Sequence, residues 1–165
     1  MLVKQSATLD SSFWVNVQRS GLLASLLARY RLTYPPAVAA ELSERFASGR
    51  EFWRLVRAGE LDEVSPTREN VRQFGPGERQ ALNVALEHRD WVLFIDDRRP
   101  FEEAIRLGLQ AISSPALVVL LAREGAMSTE EALATLARLA ALGRLSPRLI
   151  DAASAALQQL EEGGS

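Results

Sequence analysis

Apolar and polar positions fall along this chain in two kinds of block, short runs of strand length and longer stretches with helical spacing. Residues 3–9 read as a first strand that stops at Asp10. Residues 13–17 and 22–29 read as short helices separated at Gly21. Residues 31–34 form a second predicted strand, halted by Pro35 and Pro36. Proline is tolerated in the first helical turn, so Pro36 opens a helix whose stripe is Val38, Leu42, Arg45 and Phe46. Residues 51–58, with Phe52, Leu55 and Val56, continue the helical pattern, and residues 61–65 suggest a third short strand. Gly75-Pro76-Gly77 is a turn, and Glu78 begins a helix with Ala81, Leu82, Ala85 and Leu86 on one face. The unbroken run Trp91-Val92-Leu93-Phe94-Ile95 suits a central parallel strand covered on both sides, and it ends at Asp96-Asp97. Residues 101–107 read as helix and 109–112 as strand, and Ser114-Pro115 opens another helix as cap and first-turn proline. Beyond this point the pattern is helical throughout. Ser128-Thr129-Glu130-Glu131 forms a capping box, and Ser146-Pro147 opens a last helix that ends in the polar tail 161–165.

Strands that alternate with helices predict an α/β domain of three layers, helices on both faces of a central parallel sheet, with a C-terminal helical extension. We place the domain at residues 1–125 and the extension, packed on the same domain, at 126–165. Such sheets carry their chemistry at the carboxyl ends of the strands, where Asp10 and the Asp96-Asp97 pair are predicted to lie.

Composition narrows the chemistry. The chain has 165 residues, 47% hydrophobic and 24% charged, which is ordinary for one globular domain. It has no cysteine, so disulfides, thiolate metal sites and cysteine nucleophiles are excluded. A single histidine, His88, cannot build a histidine-rich metal site and is expected at a helix end. No segment approaches the roughly 20 apolar residues of a membrane span, and no signal peptide is apparent, so the expected location is cytoplasmic. The net charge of −2 argues against a nonspecific polycation. The cations are nevertheless almost all arginine, Lys4 being the one lysine, and arginine suits bidentate phosphate contacts. Phosphate-loop, zinc-protease and nucleophile-elbow motifs are absent. The aromatics Phe13, Trp14, Phe52, Trp53 and Trp91 have mostly core-like spacing.

What remains is a set of acids: Asp10, Glu41, Glu78 and Asp97, with Asp96 beside the last. Asp10 and Asp97 are expected to project from neighbouring strand ends, with Glu41 and Glu78 on helices flanking the same edge. Clustered carboxylates repel and lose hydration, so a cation normally holds them together, and all-oxygen ligands select hard ions such as Mg²⁺ or Mn²⁺. Each acid also has an ordinary reading. Glu78 suits a first helical turn, Asp97 a helix cap and Glu41 a solvated helix face.

These residues resemble the motifs of the PIN domain, in particular the branch of predicted nucleases related to the VapC toxins. Asp10-Ser11-Ser12 is similar to the family's first motif, an aspartate with a hydroxyl residue two places on. The segment from Tyr34-Pro35-Pro36 through Glu41-Leu42 resembles its second, a proline followed by a helix bearing glutamate. Gly77-Glu78 with Ala81, Leu82 and Ala85 resembles a Gly-Glu form of the third. Ile95-Asp96-Asp97 resembles the fourth, with Asp97 as the aspartate of a Thr-x-Asp pattern and Ile95 where the hydroxyl residue usually stands. The resemblance covers residues 3–125. It implies a divalent-metal-dependent ribonuclease acting on single-stranded RNA, often dimeric, with Asp10, Glu41, Glu78 and Asp97 catalytic and Asp96 an added ligand or supporting acid. Arg98 and Arg99 are the candidates to hold the RNA backbone. It further suggests the toxin of a toxin–antitoxin pair, with an antitoxin protein as partner. The competing reading is a non-catalytic PIN-like module that binds nucleic acid or protein. Leu133, Leu136, Leu139 and Leu142, followed by Ile150, Ala153, Leu157 and Leu160, give two apolar helices that suit either internal packing or a homodimer interface.

Overall fold

The computed structural model describes residues 3–163. Five parallel strands, β1 (Gln5–Leu9), β2 (Tyr30–Tyr34), β3 (Asp62–Glu63), β4 (Val92–Phe94) and β5 (Gln110–Ile112), form one sheet in the order β3-β2-β1-β4-β5. The chain builds outward from β1 to β3, then returns to the other side of β1 for β4 and β5. The order therefore reverses between β1 and β4, and a crevice opens at the carboxyl ends of those two strands. Leu9 pairs with Phe94, and the Asp10 N–H donates to the Phe94 carbonyl at 3.2 Å, so Asp10 and the residues after Phe94 leave the sheet side by side.

The nine helices are α1 (Ser11–Ser20), α2 (Leu23–Arg29), α3 (Pro36–Glu41), α4 (Ala47–Arg57), α5 (Pro76–Glu87), α6 (Arg98–Arg106), α7 (Ser114–Arg123), α8 (Thr129–Ala141) and α9 (Pro147–Gly163), counted among the described residues. Side-chain alternation in β4 feeds two cores. Val92 and Phe94 join the larger one, with Leu9, Phe13, Trp14, Phe52 and Leu136, while Leu93 and Ile95 join a smaller one with Leu82, Ala85 and Ala104 under α5 and α6. A run without polar interruption is thus explained by burial on both faces, each large side chain contributing about 1.5–3 kcal/mol. Phe13 stacks on Phe94 with centroids 4.6 Å apart, which fixes α1 against the sheet just beyond Asp10. Gly21 ends α1 at φ +84, a left-handed conformation that glycine adopts without penalty.

Several expectations shift. Val3 is exposed and β1 starts at Gln5, while β3 shrinks to Asp62–Glu63. The cap of α7 is Ser113, not Ser114, since its hydroxyl accepts from Ala116 N–H. The helix opened by Pro36 does not reach Phe46. It ends at Glu41, Leu42 turns extended and buried, and Phe46 is 67% exposed at the head of α4. Two interactions divert the chain. The Trp53 indole N–H donates to the Leu42 carbonyl at 2.8 Å, satisfying a group that a continued helix would have used. Gly49 lies so close beneath the turn that a Cβ there would stand 1.8 Å from the Ser43 carbonyl oxygen.

α8 and α9 pack on each other, on α7 and, through α8, on α1. Arg138 of α8 donates to the Ser20 carbonyl at 2.9 Å. Leu136, Leu139, Ala153 and Leu157 are buried within the chain, and Leu133 is 37% exposed. His88 caps the end of α5 and stacks on Trp91 at 3.9 Å. No helix among the described residues is long and apolar enough to cross a membrane.

Gly49→Ala should destabilise the protein by roughly 1–3 kcal/mol or more, because backbone and not a flexible side chain must move. Chemical denaturation measures this, and a variant as stable as wild type would contradict the close packing of the turn on α4.

Candidate metal centre

The site begins with the requirement that α1 start directly at the end of β1. Asp10 is the N-cap of α1, and its Oδ1 accepts from Phe13 N–H at 2.9 Å. Its other oxygen, Oδ2, is buried and has no hydrogen-bond partner among the described residues. An unshared, buried carboxylate oxygen is costly unless something outside the chain satisfies it.

Glu78, in the first turn of α5, and Asp97, at the head of α6, complete the group. Asp10, Glu78 and Asp97 each present a carboxylate oxygen within 4.8 Å of the others. Asp97 occupies a helix cap position, yet its side chain makes no cap hydrogen bond. It accepts instead from the Ser12 hydroxyl at 3.2 Å, so the hydroxyl two places after Asp10 bridges two of the acids' elements.

Glu41 stands beside this triad but is not one of the three. Its Oε1 accepts from Gly77 N–H at 2.9 Å and its Oε2 from the Ser11 hydroxyl at 2.5 Å. A Cβ at Gly77 would meet the Glu41 carboxylate at 2.5 Å, so that side chain would have to shift from its hydrogen bonds. The Gly-Glu pair therefore lets α5 approach α3 closely and carries Glu78 into the crevice.

Asp96 faces elsewhere. Its Oδ1 accepts from Ser114 N–H at 2.6 Å, and its Oδ2 accepts from Asn16 Nδ2 and the Ser114 hydroxyl, both at 2.7 Å. These bonds tie the end of β4 to α1 and to the start of α7. Asn16 and Ser114 were not singled out in the sequence. Ser114 was legible only as a helix-start residue, and nothing local marks Asn16 as a partner for an acid 80 residues away. Arg98 is ion-paired with Glu102 at 2.9 Å. The Arg99 side chain is exposed and has no ion pair among the described residues.

Burial and mutual repulsion set the protonation of this group. Burial pushes the Asp10 carboxyl well above its ordinary value, only partly offset by the Phe13 N–H, and Asp96, Asp97 and Glu78 add to the rise. Glu78 is raised from 4.5 to about 7, first by burial and then by its hydrogen bond and repulsion with Asp97. Asp96 is raised by burial, against the pull of Asn16 and Ser114. A hard divalent cation fits the donor set: three carboxylates converge, one buried oxygen lacks a partner, and every ligand atom is oxygen.

A three-layer parallel α/β protein with a carboxylate centre at its topological switch point is the class defined by this fold and site. The chain belongs to the PIN-domain family: the family model described as PIN domain, DUF3368, matches residues 7–162. No curated protein matches the chain. Among solved structures, that of the PIN domain endonuclease Utp24 is similar at a TM-score of 0.48 and 16% sequence identity, over 66% of this chain and 84% of that one.

The raised Glu78 value dictates a pH dependence. In the metal-free protein, ionising Glu78 costs stability that is not lost below about pH 4.5 and is fully lost above about pH 7. Wild type should therefore lose stability relative to Glu78→Gln as pH rises through that window. Mn²⁺ should raise the wild-type melting temperature at pH 8 far more than at pH 5. Melting curves of both proteins, with EDTA and with Mn²⁺, test this. Parallel pH profiles in EDTA would contradict the repulsive cluster.

Proposed function

We propose that this protein is a divalent-metal-dependent nuclease that hydrolyses phosphodiester bonds in single-stranded RNA, using Mg²⁺ or Mn²⁺. The observation that carries the reading is the convergence of Asp10, Glu78 and Asp97 at the switch point, with Asp10 Oδ2 left unpartnered. Membership of the PIN-domain family supports it.

In this reading Asp10, Glu78 and Asp97 hold the cation, and Glu41 completes the acidic wall. A hard cation held there supplies Lewis-acid polarisation of a phosphoryl oxygen and a lowered pKa for water. The chain's own contribution is placement. Phe13 N–H fixes the Asp10 carboxylate through one oxygen and leaves the second without a partner among the described residues. Ser12 orients Asp97, and Ser11 with Gly77 N–H holds Glu41. The proton that Glu78 retains below about pH 7 must leave before its carboxylate can serve as a ligand. Asp96 acts as a positioning residue, because its oxygens are engaged by Asn16 and Ser114. Arg99 is free to meet a phosphate, and Arg98 can do so by exchanging its exposed pairing with Glu102, a bond of little net worth. A role as the toxin of a toxin–antitoxin pair is the biological setting this activity suits, in the cytoplasm and with an antitoxin protein as partner.

Incubating the protein with mixed single-stranded RNA and DNA, in Mg²⁺, Mn²⁺ or EDTA, tests the activity. RNA should be cut with either metal and spared in EDTA. Asp10→Asn and Asp97→Asn should each slow cleavage by roughly 100-fold or more, without lowering the metal-free melting temperature, since each removes a repulsive charge. Absence of metal-dependent cleavage of any RNA would favour a non-catalytic binding module, and preferential cutting of DNA would overturn the substrate.

A further inference from the structure

A recess of about 480 Å³ lies between the C-terminal half of α1, the start of α4 and the α8–α9 loop. Phe46 stands at its wall and is 67% exposed, an unusual state for a phenylalanine in a chain that buries Phe13, Phe52 and Phe94 completely. Arg19 from α1 and Arg144 from the α8–α9 loop line the same recess. Both are exposed, and among the described residues neither side chain makes an ion pair or a hydrogen bond. Val15 gives the floor an apolar surface, Gln18 offers an amide, and no carboxylate of the described residues lines the recess. The acidic centre lies at the other end of α1, whose 10 residues span about 15 Å.

An exposed aromatic flanked by two unpaired arginines is the pairing that single-stranded nucleic acid uses: a base stacks on the ring while guanidinium groups meet the phosphates on either side. A protein partner would be better served by a dry apolar patch, and a lipid surface by a continuous basic face. We infer that this recess is a nucleobase subsite, which seats a base of the single strand a few nucleotides from the bond cut at the acidic centre. The inference rests on the nuclease reading and specifies how that substrate is held. Phe46 stacks on the base, Arg19 and Arg144 clamp the backbone, and Gln18 reads or supports a base edge. The turn after Glu41 gains a purpose here. It brings Phe46 out of the core and onto the path that a strand would follow along α1 away from the acids.

The test is fluorescence anisotropy with labelled oligonucleotides in EDTA, so that nothing is cut. The probes are an RNA of about eight nucleotides, within the usual span of single-strand sites, and a DNA of the same sequence. Phe46→Ala should weaken binding of the RNA about 5- to 150-fold, the range of one lost base stack. Phe46→Trp should restore binding and show indole fluorescence quenched by the strand, which a merely structural residue would not. Arg19→Gln with Arg144→Gln should weaken binding and lower the salt dependence by one to two phosphate contacts, about 0.7 in log–log slope each. Equal loss on DNA and RNA would still support the subsite, since every base has a stacking face. Unchanged RNA affinity in Phe46→Ala, with cleavage by wild type intact, overturns the subsite alone. No binding and no cleavage by wild type overturns the nuclease reading with it. A change in light scattering of Phe46→Ala without any change in oligonucleotide affinity would assign the surface to protein contact and overturn the proposal.

Discussion

The rest of this structure is arranged around an unfavourable placement: carboxylates held close together, part of the group buried, at the end of a parallel sheet. Asp10 is 1% exposed and has one oxygen without a partner, and Glu78 and Asp97 come within reach of it from two other helices. Burial and repulsion both oppose ionisation here. A chain selected for stability alone would not bring these acids together, whereas a cation in their midst converts the same repulsion into affinity. The fold contributes the proximity through its topology. Because the strand order reverses between β1 and β4, the two chain segments that leave those strands diverge, and the crevice between them is where Asp10 and Asp97 meet.

Holding like charges in position requires restraints from the surrounding elements. Asp96 supplies one, accepting three hydrogen bonds that join β4, α1 and α7 behind the site. Glu41 supplies another through Ser11 and Gly77, drawing α3 and α5 together at the front. The larger core adds a third. Phe13 stacked on Phe94 prevents α1 from moving away from the strand end, so the geometry of Asp10 depends on aromatic packing as much as on its own cap bond. The acids in the motifs therefore divide by environment. Those with engaged oxygens brace the elements, and those with an oxygen to spare face the crevice.

Much of this was legible in the sequence because it depends on local rules. The uninterrupted run at residues 91–95 marks a strand buried on both sides, and the structure divides it between two cores. Gly21, the Ser128 capping box and the first-turn prolines Pro36 and Pro115 were readable from backbone chemistry, whereas α5 begins at Pro76 and not at Glu78. Strand alternation led to a parallel sheet, and aspartates at strand ends led to the site. What escaped were contacts between distant segments. Asn16 with Asp96 and Gly77 with Glu41 have no signature within a short window. The stripe through Val38, Leu42, Arg45 and Phe46 misled because helical spacing records only what a helix would bury. It does not show that Trp53 will capture the Leu42 carbonyl and end the helix early. The motif resemblance was confined to residues 3–125, while the family match runs to residue 162. The helical C-terminal segment lies beyond the acidic motifs on which the resemblance rested.

The central claim is that Asp10 and Glu78 are kept partly protonated by burial and by the neighbouring acids until a cation replaces the protons. Titration calorimetry of Mn²⁺ into the protein at pH 6.5, in two buffers of different ionisation heat, measures the protons released for each ion bound. The account predicts one ion per chain with roughly one proton or more displaced, and little binding to Asp10→Asn. Binding that releases no proton, or that is equally tight in Asp10→Asn, would contradict it.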